Sequence, residues 1–275
     1  MSGSSMLGRK IVLGVVAVIA LAPIVFLVLT SLRPAGEFLA TPPTLLPSAI
    51  TFDHYVAAFQ RGDAGSYFIN SLLIASFTTI ISLVAGTLAG YGLARMGMSA
   101  KVLGIVVFIF IAIRFYPRIT TVIPWFLFMR ELNLLDTVWG IILGHIGITT
   151  PFVAWLMLTV FRDAPRDLED SARVDGCSPL QRLWYVLVPI NKPALAAAAI
   201  FTAFMSWNEF LIATSIARRQ ATTLSIAVAS FITDRGIDWG PMSAMGFVIV
   251  LPMVLVALLL TRYLVRGLAL GAVKE

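Results

Sequence analysis

The sequence has little charge and a single cysteine. Only 12% of its 275 residues are charged and 59% are hydrophobic, whereas about a quarter of the residues in an ordinary soluble domain are charged. This composition argues against a water-soluble domain and predicts a helical membrane protein. Because Cys177 is the only cysteine, an internal disulfide is excluded, and we interpret this residue as a packing residue rather than a redox site.

The sequence also lacks the short motifs of common catalytic and nucleotide sites. It contains no G-x-x-x-x-G-K-[ST], H-E-x-x-H or G-x-S-x-G pattern, and its two histidines, His54 and His145, lie far apart. We therefore predict no catalytic residue, no metal site and no cofactor bound by this chain, and we expect His54 to lie at the surface. The net charge of +6 does not indicate nucleic-acid binding, because the basic residues are scattered between apolar segments. Contact with membrane lipid explains them better.

Six apolar segments are long enough to cross a bilayer, for which about 20 helical residues are needed. We predict one transmembrane domain over residues 1–275, with spans at about 11–32, 67–93, 102–123, 137–161, 193–214 and 242–264. Gly86, Gly90 and Gly92 predict that the second span packs closely against a neighbouring helix. A short amphipathic helix is expected from Ile50 to Phe59.

Residues 162–192 form the longest polar interruption of this apolar pattern, between the fourth and fifth spans. Asp163 is typical of a helix N-cap, and Gly176 is the residue type that ends a helix in the left-handed conformation. Ser178 and Gln181 have the spacing of a capping box, which starts a second helix. The pattern predicts a rigid helix–turn–helix held at a membrane face.

At these residues the chain resembles the permease subunits of binding-protein-dependent ABC importers. Their cytoplasmic motif, E-A-A-x-x-x-G-x9-I-x-L-P, corresponds here to Asp170-Ser171-Ala172, Gly176, Val186 and Val188-Pro189. The departures are Asp for Glu, Ser for Ala, and Val for Ile and Leu. Two further segments resemble the carbohydrate (maltose-type) branch of that family, namely Trp207-Asn208-Glu209-Phe210-Leu211 and the tail Val265–Lys274.

The resemblance implies an all-α membrane protein with six transmembrane helices and a cytoplasmic coupling helix–turn–helix between spans four and five. It also implies a transport subunit that is not an enzyme and that imports a sugar or sugar-like solute across the bacterial cell membrane. The expected partners are a second permease subunit in a heterodimer, two ATP-hydrolysing subunits that bind ATP and Mg, and an extracytoplasmic solute-binding protein.

The coupling residues are expected in the helix–turn–helix, where they would contact the ATP-hydrolysing subunit. They are Glu169, Asp170, Ser171, Ala172, Arg173, Asp175, Gly176, Cys177, Ser178 and Pro179.

A possible translocation path is indicated by polar and aromatic side chains within the apolar spans, where charge is costly and usually faces a path or a partner. These candidates are Arg114, Tyr116, Trp207, Asn208 and Glu209. The alternatives are that Arg114 extends toward the membrane surface, that Asn208 and Glu209 bond a neighbouring helix, and that the aromatic residues belong to an interfacial belt.

The loop charges predict the orientation, because the loops on the side of the N-terminus hold the larger share of the 20 basic residues. Both termini and the polar interruption are therefore expected in the cytoplasm. The alternative function is a secondary transporter driven by an ion gradient, which needs deeply placed acidic groups and usually repeated halves. Glu209 is the one acidic residue near a span interior, and no repeat is visible. A membrane-embedded enzyme is disfavoured because no paired catalytic residues occur.

Overall fold

The computed structural model is mostly helical over the residues it describes. These are residues 3–38, 40, 44, 46–60 and 63–272, and their side chains are described except for 3–5, 7 and 259–272. The helices with 16 or more residues are α1 (Gly3–Ser31), α3 (Ala64–Arg95), α4 (Ala100–Phe115), α6 (Val138–Asp163), α10 (Lys192–Trp207) and α13 (Trp239–Ala272). The shorter helices are α2 (Asp53–Gln60), α5 (Val122–Glu131), α7 (Arg166–Val174), α8 (Pro179–Arg182), α9 (Val188–Ile190), α11 (Leu211–Ile216) and α12 (Leu224–Ala229).

Two compact units make up the chain, Met1–Tyr67 with Leu224–Pro252 and Phe68–Thr223 with Met253–Glu275. The first unit includes a short antiparallel hairpin of β1 (Ile232–Thr233) and β2 (Gly236–Ile237). The predicted single domain over residues 1–275 stays a prediction.

Among the described residues, four helices are long and apolar enough to cross a membrane. They are Gly8–Ser31, Ala64–Arg95, Val138–Asp163 and Trp239–Leu258. Two bent pairs also qualify by length and composition, Ala100–Phe115 with Arg118–Glu131 and Pro179–Ile190 with Lys192–Trp207, and counting each pair as one span gives six. The helical membrane fold is thus confirmed, while the six-span count and the span limits stay predictions.

The third predicted span does not form a continuous helix. After α4, Tyr116 is extended at φ −65° and ψ 132°, because a proline, here Pro117, disfavours the helical conformation of the residue before it. The chain then turns by 92° into Arg118–Glu131. The fifth predicted span is interrupted in a similar way, since α10 ends at Trp207 and α11 begins at Leu211.

Helices α3 and α6 approach closely through two of the three glycines singled out in the sequence. A Cβ atom on Gly86 would lie 2.6 Å from Val153 Cβ, and one on Gly90 would lie 2.8 Å from the Leu158 backbone nitrogen. Gly92, in contrast, has no such neighbour within 4 Å. The predicted close packing of the second span is therefore observed at Gly86 and Gly90, and Gly92 lies outside this contact.

In the first unit, His54 is buried, contrary to the expected surface position. Its Nε2 lies 2.7 Å from the carbonyl oxygen of Arg33, and its ring stacks at a tilt on Phe38, 5.4 Å away. The ring also lies directly against Gly240, where a Cβ atom would overlap it. The expected short helix is present as α2 and carries this histidine.

Asp136 joins two loops of the second unit. Its carboxylate accepts hydrogen bonds at 2.8–3.0 Å from the backbone N–H groups of residues 218–221, and its own N–H donates to Ile216 O at 3.0 Å. Partial burial alone would raise the pKa of this carboxyl group, but the four N–H donors outweigh it and lower the pKa from 3.8 to about 2. The loop before α6 and the loop after α11 are therefore held together electrostatically.

The last helix, α13, extends into the predicted tail. The tail that resembles the carbohydrate branch, Val265–Lys274, is helical as far as Ala272 within α13, and Val273 and Lys274 lie outside the described residues.

Candidate functional site

The polar interruption folds as a helix–turn–helix. Helix α7 ends at Val174, and Gly176 follows at φ +84°. The N–H of Cys177 donates to Ala172 O at 2.9 Å, and the N–H of Gly176 donates to Arg173 O at 3.1 Å. These two bonds form a Schellman motif, which satisfies the last carbonyl groups of the helix and fixes the exit direction of the chain. The predicted helix end at Gly176 is confirmed.

The start of α7 differs from the prediction. Helix α6 continues through Asp163, and the residue before α7 is Pro165, which provides no side-chain cap. Asp163 is therefore not an N-cap. The acidic residues in the first turn of α7, Asp167 and Glu169, instead complement the positive end of the helix dipole.

The second helix of the motif begins with the predicted capping box. Ser178 N–H donates to Gln181 Oε1 at 2.8 Å, and Gln181 N–H donates to Ser178 Oγ at 3.3 Å. Past α8, the residues Leu183–Leu187 form a single π-helical turn before α9, which contains Pro189. Sequence reasoning missed this turn, although a proline, which lacks the N–H of a regular helix, was the available signal.

Glu169 attaches α7 to the end of α3. It is only 4% exposed and forms an ion pair with Arg95, whose Nε donates to Oε1 at 2.7 Å. The hydroxyl of Tyr91 donates to Oε2 at 3.3 Å. Ala172, one turn further along α7, is buried on the same face. Two of the predicted coupling residues therefore face inward and fix the helix to the bundle.

The remaining predicted coupling residues lie on the outer side of the motif. Cys177 is partly buried, and the exposed ones are Asp170, Ser171, Arg173, Asp175, Gly176, Ser178 and Pro179. Two apolar side chains accompany them, because Val174 is 88% exposed and Leu180 is 58% exposed. The turn thus presents a mixed surface of charges, small residues and unpaired apolar groups, as is common where a partner binds.

Arg114 and Tyr116, two of the path candidates, lie at the break of the third predicted span and are exposed. The guanidinium carbon of Arg114 is 4.8 Å from the centre of the Phe152 ring, a cation–π distance that partly compensates its charge.

The other path candidates lie where α10 ends. Trp207 is buried edge-on against Phe68, with ring centres 6.1 Å apart. Asn208 is exposed and donates from its side chain to Phe204 O at 2.9 Å.

Glu209 belongs to a buried polar network. It is 6% exposed and accepts hydrogen bonds from the first N–H groups of α11, including Ile212 N at 3.0 Å. Its Oε2 lies 3.2 Å from His145 Nε2, and His145 Nδ1 lies 2.8 Å from Ser206 Oγ. Glu209 therefore joins α6 to α10 and α11. The two histidines had been treated as isolated residues, and the pairing of His145 with Glu209 was missed.

The described residues contain no group of three or more His, Cys, Asp or Glu side chains that can hold a metal ion. Within this part of the chain, Glu209, Asp136 and Glu169 serve as hydrogen-bond acceptors for a helix end, a loop and an arginine, respectively.

Residues 82–270 match the family model described as the binding-protein-dependent transport system inner membrane component, and the chain belongs to this family. The matched region contains the whole helix–turn–helix. The chain is therefore an integral inner-membrane permease component of a binding-protein-dependent transport system and not an enzyme, which confirms the class inferred from the resemblance.

Several curated relatives are permease proteins that align with this chain over nearly their whole length. The trehalose transport system permease protein SugB of Mycobacterium tuberculosis is 36% identical over 258 residues, covering 93% of each chain. The sulfoquinovosyl glycerol transport system permease protein SmoH of Agrobacterium fabrum is 30% identical over 267 residues, covering 97% of this chain and 93% of the relative. The arabinooligosaccharides transport system permease protein AraQ of Bacillus subtilis is 31% identical and covers 92% of this chain and 90% of its own.

Two solved transporters share the fold. A chain of a bacterial ABC transporter that imports the acidic polysaccharide alginate superposes with a TM-score of 0.78 at 24% identity, covering 96% of this chain and 98% of its own. The inward-facing MetNI methionine ABC transporter gives a TM-score of 0.58 at 19% identity, covering 78% of this chain and 97% of its own.

Proposed function

We propose that this permease imports a sugar or sugar-like solute and that residues 166–182 transmit the energy of ATP hydrolysis from a partner subunit to the membrane helices. The observation that supports the coupling part of the proposal is the exposed face of the helix–turn–helix. The permease names of the relatives, which specify trehalose, sulfoquinovosyl glycerol and arabinooligosaccharides, support the substrate class.

Stiffness is what a coupling element needs, because a flexible loop would absorb the movement of the ATP-hydrolysing subunit. The Schellman motif at Gly176 and the capping box at Ser178 restrict the turn, and Glu169 fixes α7 to α3. A displacement of α7 is thus passed to a membrane-length helix. On the free face, Asp170 and Asp175 are available to basic or N–H groups of the partner, and Val174 to an apolar groove.

The complete importer of this proposal contains a second permease subunit, two ATP-hydrolysing subunits that bind ATP and Mg, and the solute-binding protein that the family name implies. Both termini of this chain lie in the cytoplasm. Arg114 and Tyr116, exposed at the break between α4 and α5, contribute to the translocation path. Trp207, Asn208 and Glu209 act on that path indirectly, because their contacts hold the junction of α10 and α11.

The ion-gradient alternative is not favoured by the family, whose members depend on a binding protein. The test of the proposal uses Cys177, the only cysteine of the chain. The permease is co-expressed with an ATP-hydrolysing subunit that carries single cysteines around its surface groove, and a short bifunctional thiol reagent is added with and without nucleotide.

We expect a crosslink from Cys177 whose yield changes on ATP binding, together with solute uptake that stops when ATP is depleted. The Cys177→Ser chain is the control and gives no crosslink. Absence of a crosslink at every groove position, combined with uptake that persists without ATP, contradicts the proposal.

A further inference from the structure

A cavity of about 520 Å³ lies between the end of α3 and the helix–turn–helix. Its charged lining consists of Arg95, Arg166, Arg173, Arg182, Glu169 and Asp170, and we call it the arginine cavity. The volume is within the range of small-molecule sites. Basic side chains outnumber acidic ones in it, so the lining attracts anions.

The acidic groups inside the chain do not neutralise this lining. Glu169 is already engaged by Arg95 and Tyr91, whereas Arg166, Arg173 and Arg182 form no ion pair with any carboxylate of the described residues. The Nε of Arg182 is buried and has no hydrogen-bond partner within that part of the chain. A buried donor without an acceptor is costly, so an acceptor from outside the chain would stabilise this site.

The position of the arginine cavity indicates where that acceptor comes from. The cavity lies where the membrane-length helix α3 ends, at Tyr91 to Gly97. The π-helical turn that follows Arg182 exposes Trp184 by 41% and Tyr185 by 74%, and such aromatic side chains are enriched at the level of lipid headgroups. Basic pockets between helix ends on the cytoplasmic side are suited to anionic headgroups.

We propose that the arginine cavity binds the phosphate of an anionic phospholipid, with Arg182 as the central donor and Arg166 at its entrance. The assignment to the inner leaflet rests on the proposed orientation of the chain. The preference for a phosphate headgroup rests on the arginine lining alone. The bound lipid stabilises the contact between α3 and α7, so the coupling element is fixed to the bilayer as well as to the protein. Asp170, Arg173 and Pro179 of the predicted coupling surface also line the cavity, so the lipid site borders the surface proposed for the partner.

The test measures lipid retention by native mass spectrometry on the full-length chain, purified in a mild detergent with the subunits that accompany it and equilibrated with phosphatidylglycerol. Arg182→Gln and Arg166→Gln are each expected to weaken retention about fivefold, the effect of one basic side chain near a headgroup. Arg162→Gln is the matched control, because Arg162 is exposed at the end of α6 and lies outside the arginine cavity. It is expected to retain the lipid as the unchanged chain does.

Arg182→Lys is expected to keep most of the retained lipid, and phosphatidylcholine is expected not to compete. Equal retention by all variants, or an equal loss with Arg162→Gln, overturns the proposal. Displacement of the lipid by millimolar inorganic phosphate also overturns it, since the site then takes a soluble anion. If Arg182→Gln does not fold, Arg166→Gln carries the same comparison. No step requires ATP or uptake, so a negative result leaves the proposed function unaffected.

Discussion

Gly176 is the residue on which the geometry of the coupling turn depends most directly. Its φ of +84° costs a residue with a β-branched side chain about 1–2 kcal/mol. We predict that Gly176→Val redirects the second helix, so that uptake falls roughly tenfold or more while ATP hydrolysis continues. The ratio of solute uptake to ATP hydrolysis, measured on the same proteoliposomes, tests this prediction.

Gly176→Asn is the matched control, because asparagine enters the left-handed region far more readily than valine. It is expected to keep most of the uptake. Equal losses of uptake in the two variants would contradict the prediction, because they would show that any side chain at position 176 disturbs coupling, whatever its backbone preference.

The ion pair of Glu169 and Arg95 carries a second prediction at this scale. Glu169→Gln leaves a guanidinium that is 19% exposed without its counter-charge, and we expect the free energy of unfolding to fall by about 2 kcal/mol. Chemical denaturation in mixed micelles measures the difference. Glu131→Gln removes the exposed pair with Arg130 and is expected to change the free energy by less than about 0.5 kcal/mol; similar effects of both changes would show that burial of Glu169 is unimportant.

Between secondary-structure elements, the contact of α3 with α6 allows a prediction with an internal control. Gly90→Ala places a methyl group 2.8 Å from the Leu158 nitrogen, and such overpacking costs about 1–3 kcal/mol. Gly92→Ala, two residues along the same helix, meets nothing within 4 Å and is expected to be neutral or slightly stabilising. Thermal unfolding of the two purified variants distinguishes them, and an equal shift in Tm would contradict the observed packing.

The hydrogen bonds that Asp136 accepts from the loop after α11 make the stability of the protein depend on pH. Its pKa is lowered from 3.8 to about 2, so its contribution is fully present above pH 3.8 and is lost as the pH falls toward 2. Because solvent reaches the half-buried carboxylate, we expect Asp136 to contribute only about 1 kcal/mol to the free energy of unfolding. The protection factors for hydrogen exchange of the backbone N–H groups of residues 218–221 should fall as the pH is lowered through this range. Asp136→Asn should show lower protection above pH 3.8 and a weaker pH dependence.

Local features of these elements could be predicted from the sequence, whereas pairings between distant residues could not. The turn at Gly176 and the capping box of Ser178 and Gln181 depend on neighbours within a few positions, and both predictions were correct. The inward orientation of Glu169 depends on Arg95, which is 74 residues away, and the role of Glu209 depends on His145, 64 residues away. No periodicity in one sequence specifies which side chains meet over such separations.

For the whole molecule, the orientation in the membrane is the prediction with the widest consequences. If the helix–turn–helix lies in the cytoplasm, a membrane-impermeant maleimide should label Cys177 in inside-out vesicles and not in right-side-out vesicles. Glu131→Cys in a Cys177→Ser background should show the reverse pattern, since Glu131 is exposed at the end of α5, on the side predicted to be outside. Labelling of both from the same side would contradict the topology.

The interruptions of the third and fifth predicted spans have a further consequence for the bilayer. Helices α4 and α10 have 16 residues each, which at 1.5 Å per residue gives about 24 Å, less than the roughly 30 Å of hydrocarbon in a typical membrane. Either the bilayer thins around these helices or the bent segments enter it, and both responses cost energy for each ångström of mismatch. Acyl chain length is therefore expected to shift the balance between transport states, so that membrane thickness itself tunes the rate of import.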